Sequence, residues 1–197
     1  MLSCIILSAG LSHRFGSPKA LAKINIETVV EHLQRLLLAT QIQEIVIVLG
    51  HDAKKIEPHL LKHKRIRFVY NKDYNLGQTS SFKVGLEAAN PQAQGIMLLP
   101  VDYPVIKKET IDRLIELFLD KKPAILIPTF ENQKGHPPIF HAKLKPEILS
   151  LPNDVGLNTV AYKHQKDTMV LALKDGGIVK SFNTPAEFEQ LKKQLIG

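Results

Sequence analysis

Cysteine is almost missing from this chain: Cys4 is the only one in 197 residues. A single thiol excludes an internal disulfide framework and a cysteine-built zinc site. Its place in the apolar run Cys4-Ile5-Ile6-Leu7 marks it as a small buried hydrophobe, not a reactive thiol. No apolar stretch approaches the roughly 20 residues of a membrane span. The N-terminus lacks a basic start, a long apolar core and a cleavage site, so no secretion signal is read there. A cytoplasmic location and no membrane partner are expected. Low-complexity segments, internal repeats and linkers are missing as well, which favours one domain over residues 1–197.

Carboxylates are in deficit. Lys and Arg number 26 against 19 Asp and Glu, a net charge of +7 and a pI of about 9.4. Such an excess suits either nucleic acid or an anionic small substrate. The densest basic stretch runs from Lys54-Lys55 through Lys62-His63-Lys64-Arg65 to Arg67, with no aromatic platform interleaved. It reads as a solvated helix face and loop, and no nucleic-acid partner is expected. Hydrophobic content of 44% is ordinary for a soluble chain, and the length suffices for a sizeable core.

What is present is an alternation. Apolar runs at 4–7, 43–49, 67–70, 95–100 and 124–128 read as buried strands. Helical patterns lie between them: one opened by Asn25 or Thr28 and carrying Val29, Val30, Leu33, Leu36 and Leu37, then 54–61, 79–89 and 109–119. The order predicts an α/β chain with a mostly parallel sheet covered on both faces. Beyond residue 134 the pattern is less regular. It predicts a turn and short strand at 135–140, helical pieces at 144–149 and 155–164, strands at 168–173 and 178–182, and a closing helix over 185–195 that starts with Pro185.

The first strand breaks into Ser8-Ala9-Gly10-Leu11-Ser12-His13-Arg14-Phe15-Gly16-Ser17-Pro18-Lys19. Glycines let backbone N–H groups approach a ligand, and Arg14 and Lys19 add charge, a combination suited to a polyphosphate. Five residues separate Gly10 from Gly16 and Ser17 follows, so this is no P-loop, which has four residues and then Lys. The dinucleotide fingerprint G-x-G-x-x-G is absent too. An ordinary strand-to-helix turn is the plainer alternative.

Two later stretches stand at strand ends, where ligands bind in such sheets. Asn71 to Ser81 holds Gly77 and then Thr79-Ser80-Ser81, which either meet a ligand or cap their own helix. Asp102 is held stiffly between Pro100 and Pro104, as a turn former or as a ligand to Mg²⁺. Further on, Asn183-Thr184-Pro185 reads as a helix cap followed by proline.

Together these residues resemble the nucleotidyltransferases of the molybdenum cofactor cytidylyltransferase-like family. Ala9-Gly10, Arg14-Phe15-Gly16 and Lys19 match its signature loop. Asn71, Gly77 and Ser80-Ser81 match its base-side motif, Pro100-x-Asp102-x-Pro104 its metal motif, and Gly135-His136-Pro137 its acceptor-side turn. The resemblance implies a Rossmann-like three-layer α/β/α sandwich of the nucleotide-diphospho-sugar transferase type. It implies Mg²⁺-dependent transfer of a CMP, or less readily GMP, moiety from NTP to a phosphorylated small-molecule acceptor such as molybdopterin, with pyrophosphate released and a molybdoenzyme as an acceptor protein.

On that resemblance Arg14, Lys19 and Asp102 are catalytic, and Asp102 with Asn183 holds the metal. Ala9, Gly10, Leu11, Ser12, Arg14, Lys19, Asn71, Gly77, Ser80 and Ser81 contact the nucleotide. Gly135, His136, Pro137 and Asp154 contact the acceptor. The Ala-Gly pair favours CTP. Two departures stand out. Relatives place an acid where this chain has Asn183. They also place an arginine after the Asp154-Val155-Gly156 stretch, where this chain has Asn158. A transferase for another phospho-acceptor and a nucleotide-binding protein without catalysis are the alternatives.

Overall fold

The computed structural model describes residues 1–196. In chain order the elements are β1 (Leu2–Ser8), β2 (Lys23–Ile24), β3 (Glu27–Thr28), α1 (Val29–Leu38), β4 (Glu44–Leu49), α2 (Ala53–Ile56), β5 (Ile66–Tyr70) and α3 (Gln78–Ala88). There follow β6 (Gly95–Pro100), α4 (Lys108–Lys121), β7 (Ile125–Phe130), β8 (Gln133–Lys134), β9 (Ile139–His141), α5 (Lys145–Ser150), α6 (Asn158–Lys163), β10 (Thr168–Ala172) and α7 (Pro185–Ile196). The main sheet runs β10-β7-β9-β6-β1-β4-β5 and is parallel except for β9 and the short β8.

The apolar runs explain the layers. Side chains alternate across a strand, so each run serves both faces. Cys4 and Ile6 of β1, Ile45 and Ile47 of β4 and Met97 and Leu99 of β6 pack with α1, α4 and α7. Ile5 and Leu7, Val46 and Val48, and Ile96 and Leu98 pack with α3, α5 and α6. This is the expected three-layer α/β/α sandwich. Every residue of β1 is buried. Cys4 is fully buried, and burial pushes its thiol well above the ordinary range. Among the described residues no helix is long and apolar enough to cross a membrane.

Local outcomes follow from particular residues. Thr28, not Asn25, opens α1: Thr28 N donates to Glu31 Oε2 (2.6 Å) and Glu31 N to Thr28 Oγ1 (3.3 Å), a reciprocal cap. Asn25 instead takes the left-handed turn between β2 and β3. The helix expected over 54–61 stops at Ile56 and tightens into a 3₁₀ turn at Glu57–His59, because Pro58 has no N–H to continue it. The strand expected over 178–182 does not form. Gly176–Val179 is a 3₁₀ turn capped by Asp175 and packed on β7, and Ile178 and Phe182 are buried by side-chain packing, not by a ladder. Lys180, between them on what would be the same strand face, breaks the apolar row that a half-buried strand needs. Phe68 and Tyr70 on edge strand β5 are exposed and stack edge to face, so aromatic rings do adjoin the basic stretch.

Candidate active site

From β1 the chain passes to β4 and β5 on one side, and returns to β6 on the other. The loops after β1 and β6 therefore diverge and leave a crevice at the carboxyl ends of the strands. A cleft of about 450 Å³ opens there. Residues 8–14 and Lys19 line it from the β1 side, Asp102 from the β6 side, Gly77, Gln78 and Ser81 from the start of α3, and Asn183 from the segment before α7.

The β1 loop is shaped by its own turn. The Ser12 carbonyl accepts from Phe15 N (2.9 Å) and Gly16 N (3.1 Å). Gly16, at φ +80°, occupies a left-handed conformation that side chains resist. Phe15 then anchors the loop, with ring centroids 5.3 Å from Phe182 and 5.9 Å from Phe188. Arg14 is left exposed at the cleft. Gly10 serves another purpose. A Cβ built there would meet nothing within 4 Å, so its bareness is room in the cleft and not a packing need. Among the described residues, the N–H groups of Gly10, Leu11 and Ser12 meet no acceptor. Ser8 Oγ, at the cleft wall, is buried without a partner.

Lys19, Asp102 and Asn183 converge. The Lys19 ammonium donates to Asp102 Oδ2 at 2.8 Å and to Asn183 Oδ1 at 2.9 Å. The first turn of α7 holds Asn183 in place. Its backbone N–H and that of Thr184 donate to Glu187, and Glu187 N donates back to Thr184 Oγ1. Those backbone N–H groups, with the charges of Arg14 and Lys19, hold the Glu187 carboxyl below its ordinary range. Thr184 is thus the helix cap while Asn183 faces the cleft.

Two oxygens already turned toward one cation fit a hard divalent ion, which takes one or two protein ligands and completes its shell from phosphates and water. Among the described residues no cluster of three or more His, Cys, Asp or Glu could hold a metal alone.

A second cavity of about 570 Å³ lies beside the cleft, between the ends of β6, β7 and β9 and helix α6, and shares Gln78 with it. Gly135 and His136 line it among Leu98, Ile125, Ile127 and Phe140. Gly135 is fixed by packing, since a Cβ would lie 2.5 Å from the Ile178 carbonyl. His136 stacks on Tyr103 at 4.5 Å between centroids, and its Nδ1 is buried without a partner. Burial holds this imidazole below its ordinary pKa, so it is neutral at pH 7.

The sequence matches the MobA-like NTP transferase domain over residues 4–168. The chain belongs to that family. A relative from Bacillus anthracis, named a probable molybdenum cofactor guanylyltransferase, is 28% identical over 97% of this chain and 96% of its own. A second, named nicotine blue oxidoreductase, from Paenarthrobacter nicotinovorans, is 29% identical over 74% of each chain. The crystal structure of Rv0371C from Mycobacterium tuberculosis in complex with manganese superposes with a TM-score of 0.79 at 22% identity, covering 98% of each chain.

In this MobA-like transferase the fold brings Ala9, Gly10, Leu11, Ser12, Arg14, Lys19, Gly77, Ser81, Asp102 and Asn183 to one cleft. Asn71 and Ser80 are not at its wall. Both are buried behind it, Asn71 Nδ2 donating to Ser80 Oγ (2.9 Å) and Ser81 Oγ (3.0 Å), and Ser80 Oγ donating to the Asp73 and Gly77 carbonyls. They hold the loop that carries Gly77. Pro137 and Asp154 line neither cavity, and Asp154 is exposed. His13, Tyr74, Asn75 and Gln78 line the cleft although no sequence pattern marks them. Their only signal was position, inside the two loops that carry the glycine motifs.

Proposed function

We propose that this MobA-like transferase moves a CMP group from CTP to a phosphorylated small-molecule acceptor and releases pyrophosphate. The observation that carries the reading is the convergence of Lys19, Asp102 and Asn183 in one cleft with Arg14 beside them. A phosphomonoester has its second pKa near ~6 and is largely a dianion at neutral pH, so the acceptor attacks the α-phosphorus without a general base. What the chain must supply is positive charge and alignment.

Arg14 and Lys19 neutralise the triphosphate and the departing pyrophosphate. The N–H groups of residues 9–12 cradle phosphate oxygens in the space left by Gly10. Asp102 and Asn183 would hold Mg²⁺, which when bound supplies further positive charge at the phosphates. Gly135 and His136 face the acceptor, and the ring of Tyr103, next to Asp102 in the chain, lies against His136.

The Ala9-Gly10 pair supports CTP. GTP is the second reading, supported by the printed name of the Bacillus anthracis relative. Molybdopterin is the acceptor that name suggests, with a cytoplasmic molybdoenzyme downstream. The test incubates purified protein and Mg²⁺ with each NTP and with molybdopterin or a panel of sugar phosphates, and follows pyrophosphate. Release with CTP and one acceptor is expected. Release with GTP alone selects the second reading, and release with no pair of substrates rejects catalysis.

A further inference from the structure

Both oxygens offered to a metal are already occupied, and by a residue of the chain itself. The Lys19 ammonium lies 2.8 Å from Asp102 Oδ2 and 2.9 Å from Asn183 Oδ1. We propose that Lys19 is the resting occupant of the divalent-cation seat, and that metal and nucleotide enter together by moving it. The proposal rests on the reading of Asp102 and Asn183 as the metal-holding pair.

The arrangement is not a loose surface contact. The side chains of Lys19 and Asp102 are only 14% and 21% exposed. The Phe182 ring lies 5.5 Å from Nζ, close enough for a cation–π contribution. Lys19 N donates to Ser12 Oγ (3.3 Å), while Phe15 ties the same loop to Phe182 and Phe188. Three segments of the chain therefore fix where the ammonium rests.

Charge explains why a lysine suits this seat. Asp102 brings one negative charge and Asn183 none, so one ammonium neutralises the pair. A dication arriving alone must displace a matched partner or sit beside a like charge. A triphosphate changes the balance. It offers Lys19 more anionic oxygens than Asp102 does and supplies oxygens that complete the dication's shell. Metal and nucleotide must then raise each other's affinity by the same factor. Asn183 acquires a definite role: an aspartate there would leave a spare negative charge and admit a dication with Lys19 still in place.

The test is a Mn²⁺ titration of the full chain, followed by electron paramagnetic resonance of free Mn²⁺, without nucleotide and then with CTP or GTP. Wild type should bind Mn²⁺ weakly alone and more tightly with nucleotide. Lys19→Met should bind Mn²⁺ about 5–150-fold more tightly without nucleotide and lose most of the enhancement. Asn183→Asp should tighten binding with Lys19 retained, and it decides the matter if Lys19→Met fails to fold by circular dichroism. No tightening in the folded variants, with binding abolished by Asp102→Ala, overturns this inference and leaves the metal assignment standing. Undiminished binding in Asp102→Ala removes the metal assignment itself.

Discussion

The two cavities adjoin and share Gln78, yet they are built from different materials. The cleft is a place of charge and bare backbone: an ammonium, a guanidinium, one carboxylate, three amides and a glycine with open space around it. The second cavity has one lysine, Lys134, a neutral histidine and the amides of Asn158 and Gln165 beside Leu98, Ile125, Ile127 and Phe140, and, among the described residues, no carboxylate. The contrast teaches a division of labour. Under the proposed function, one side neutralises phosphates and the other shelters the body of the acceptor that carries one.

The largest test of that contrast is Asp102→Ala. It should lower turnover about 10²–10³-fold, by the measure of a lost preorganised electrostatic group, with the fold intact by circular dichroism. Near-normal turnover would mean that charge is not organised around Asp102. Next come two glycines that look alike in sequence. Gly10→Val should weaken nucleotide binding about 10–200-fold in a titration, because added bulk enters the cleft. Its melting temperature should barely move, since no protein atom stands in the way. Gly135→Ala should instead cost stability, about 1–3 kcal/mol in a denaturant melt, because the Ile178 carbonyl cannot easily give way. If the two effects exchange places, the contrast is wrong.

The smallest expected effect concerns His136. Its folded pKa lies below the unfolded one because burial disfavours the charged ring. The unfolded state then binds more protons as pH falls, so His136's contribution is full above about pH 6.5 and erodes below it. Thermal midpoints at pH 7.5 and 5.5 should differ more for wild type than for His136→Gln. An equal difference would mean that the ring is solvated in the folded protein.

The first hundred residues were the more legible part of the fold. β1, β4 and β6 announced themselves as unbroken apolar runs, because a strand buried on both faces leaves no room for polar residues. The antiparallel insertion of β9 between β6 and β7 was not readable, since pairing direction is a tertiary outcome and three residues carry no pattern. The end of α2 was readable in principle from Pro58. The failure at 178–182 has a physical source: a turn packed on the core and a strand in a ladder both call for Ile and Phe. Within the cleft, Arg14, Lys19 and Asp102 could be nominated by charge and by glycine or proline neighbours. Asn71 and Ser80 could not be sorted from Ser81, because one hydrogen-bonded cluster turns its hydroxyls in different directions.

Phe15 belongs to the opening loop, and the rings that grip it, Phe182 and Phe188, stand almost at the other end of the chain. The same late segment delivers Asn183. During synthesis, therefore, the opening loop stays unanchored until Phe182 and Phe188 have been made, and a chain interrupted before Phe182 would carry the early motifs without Asn183 in the cleft.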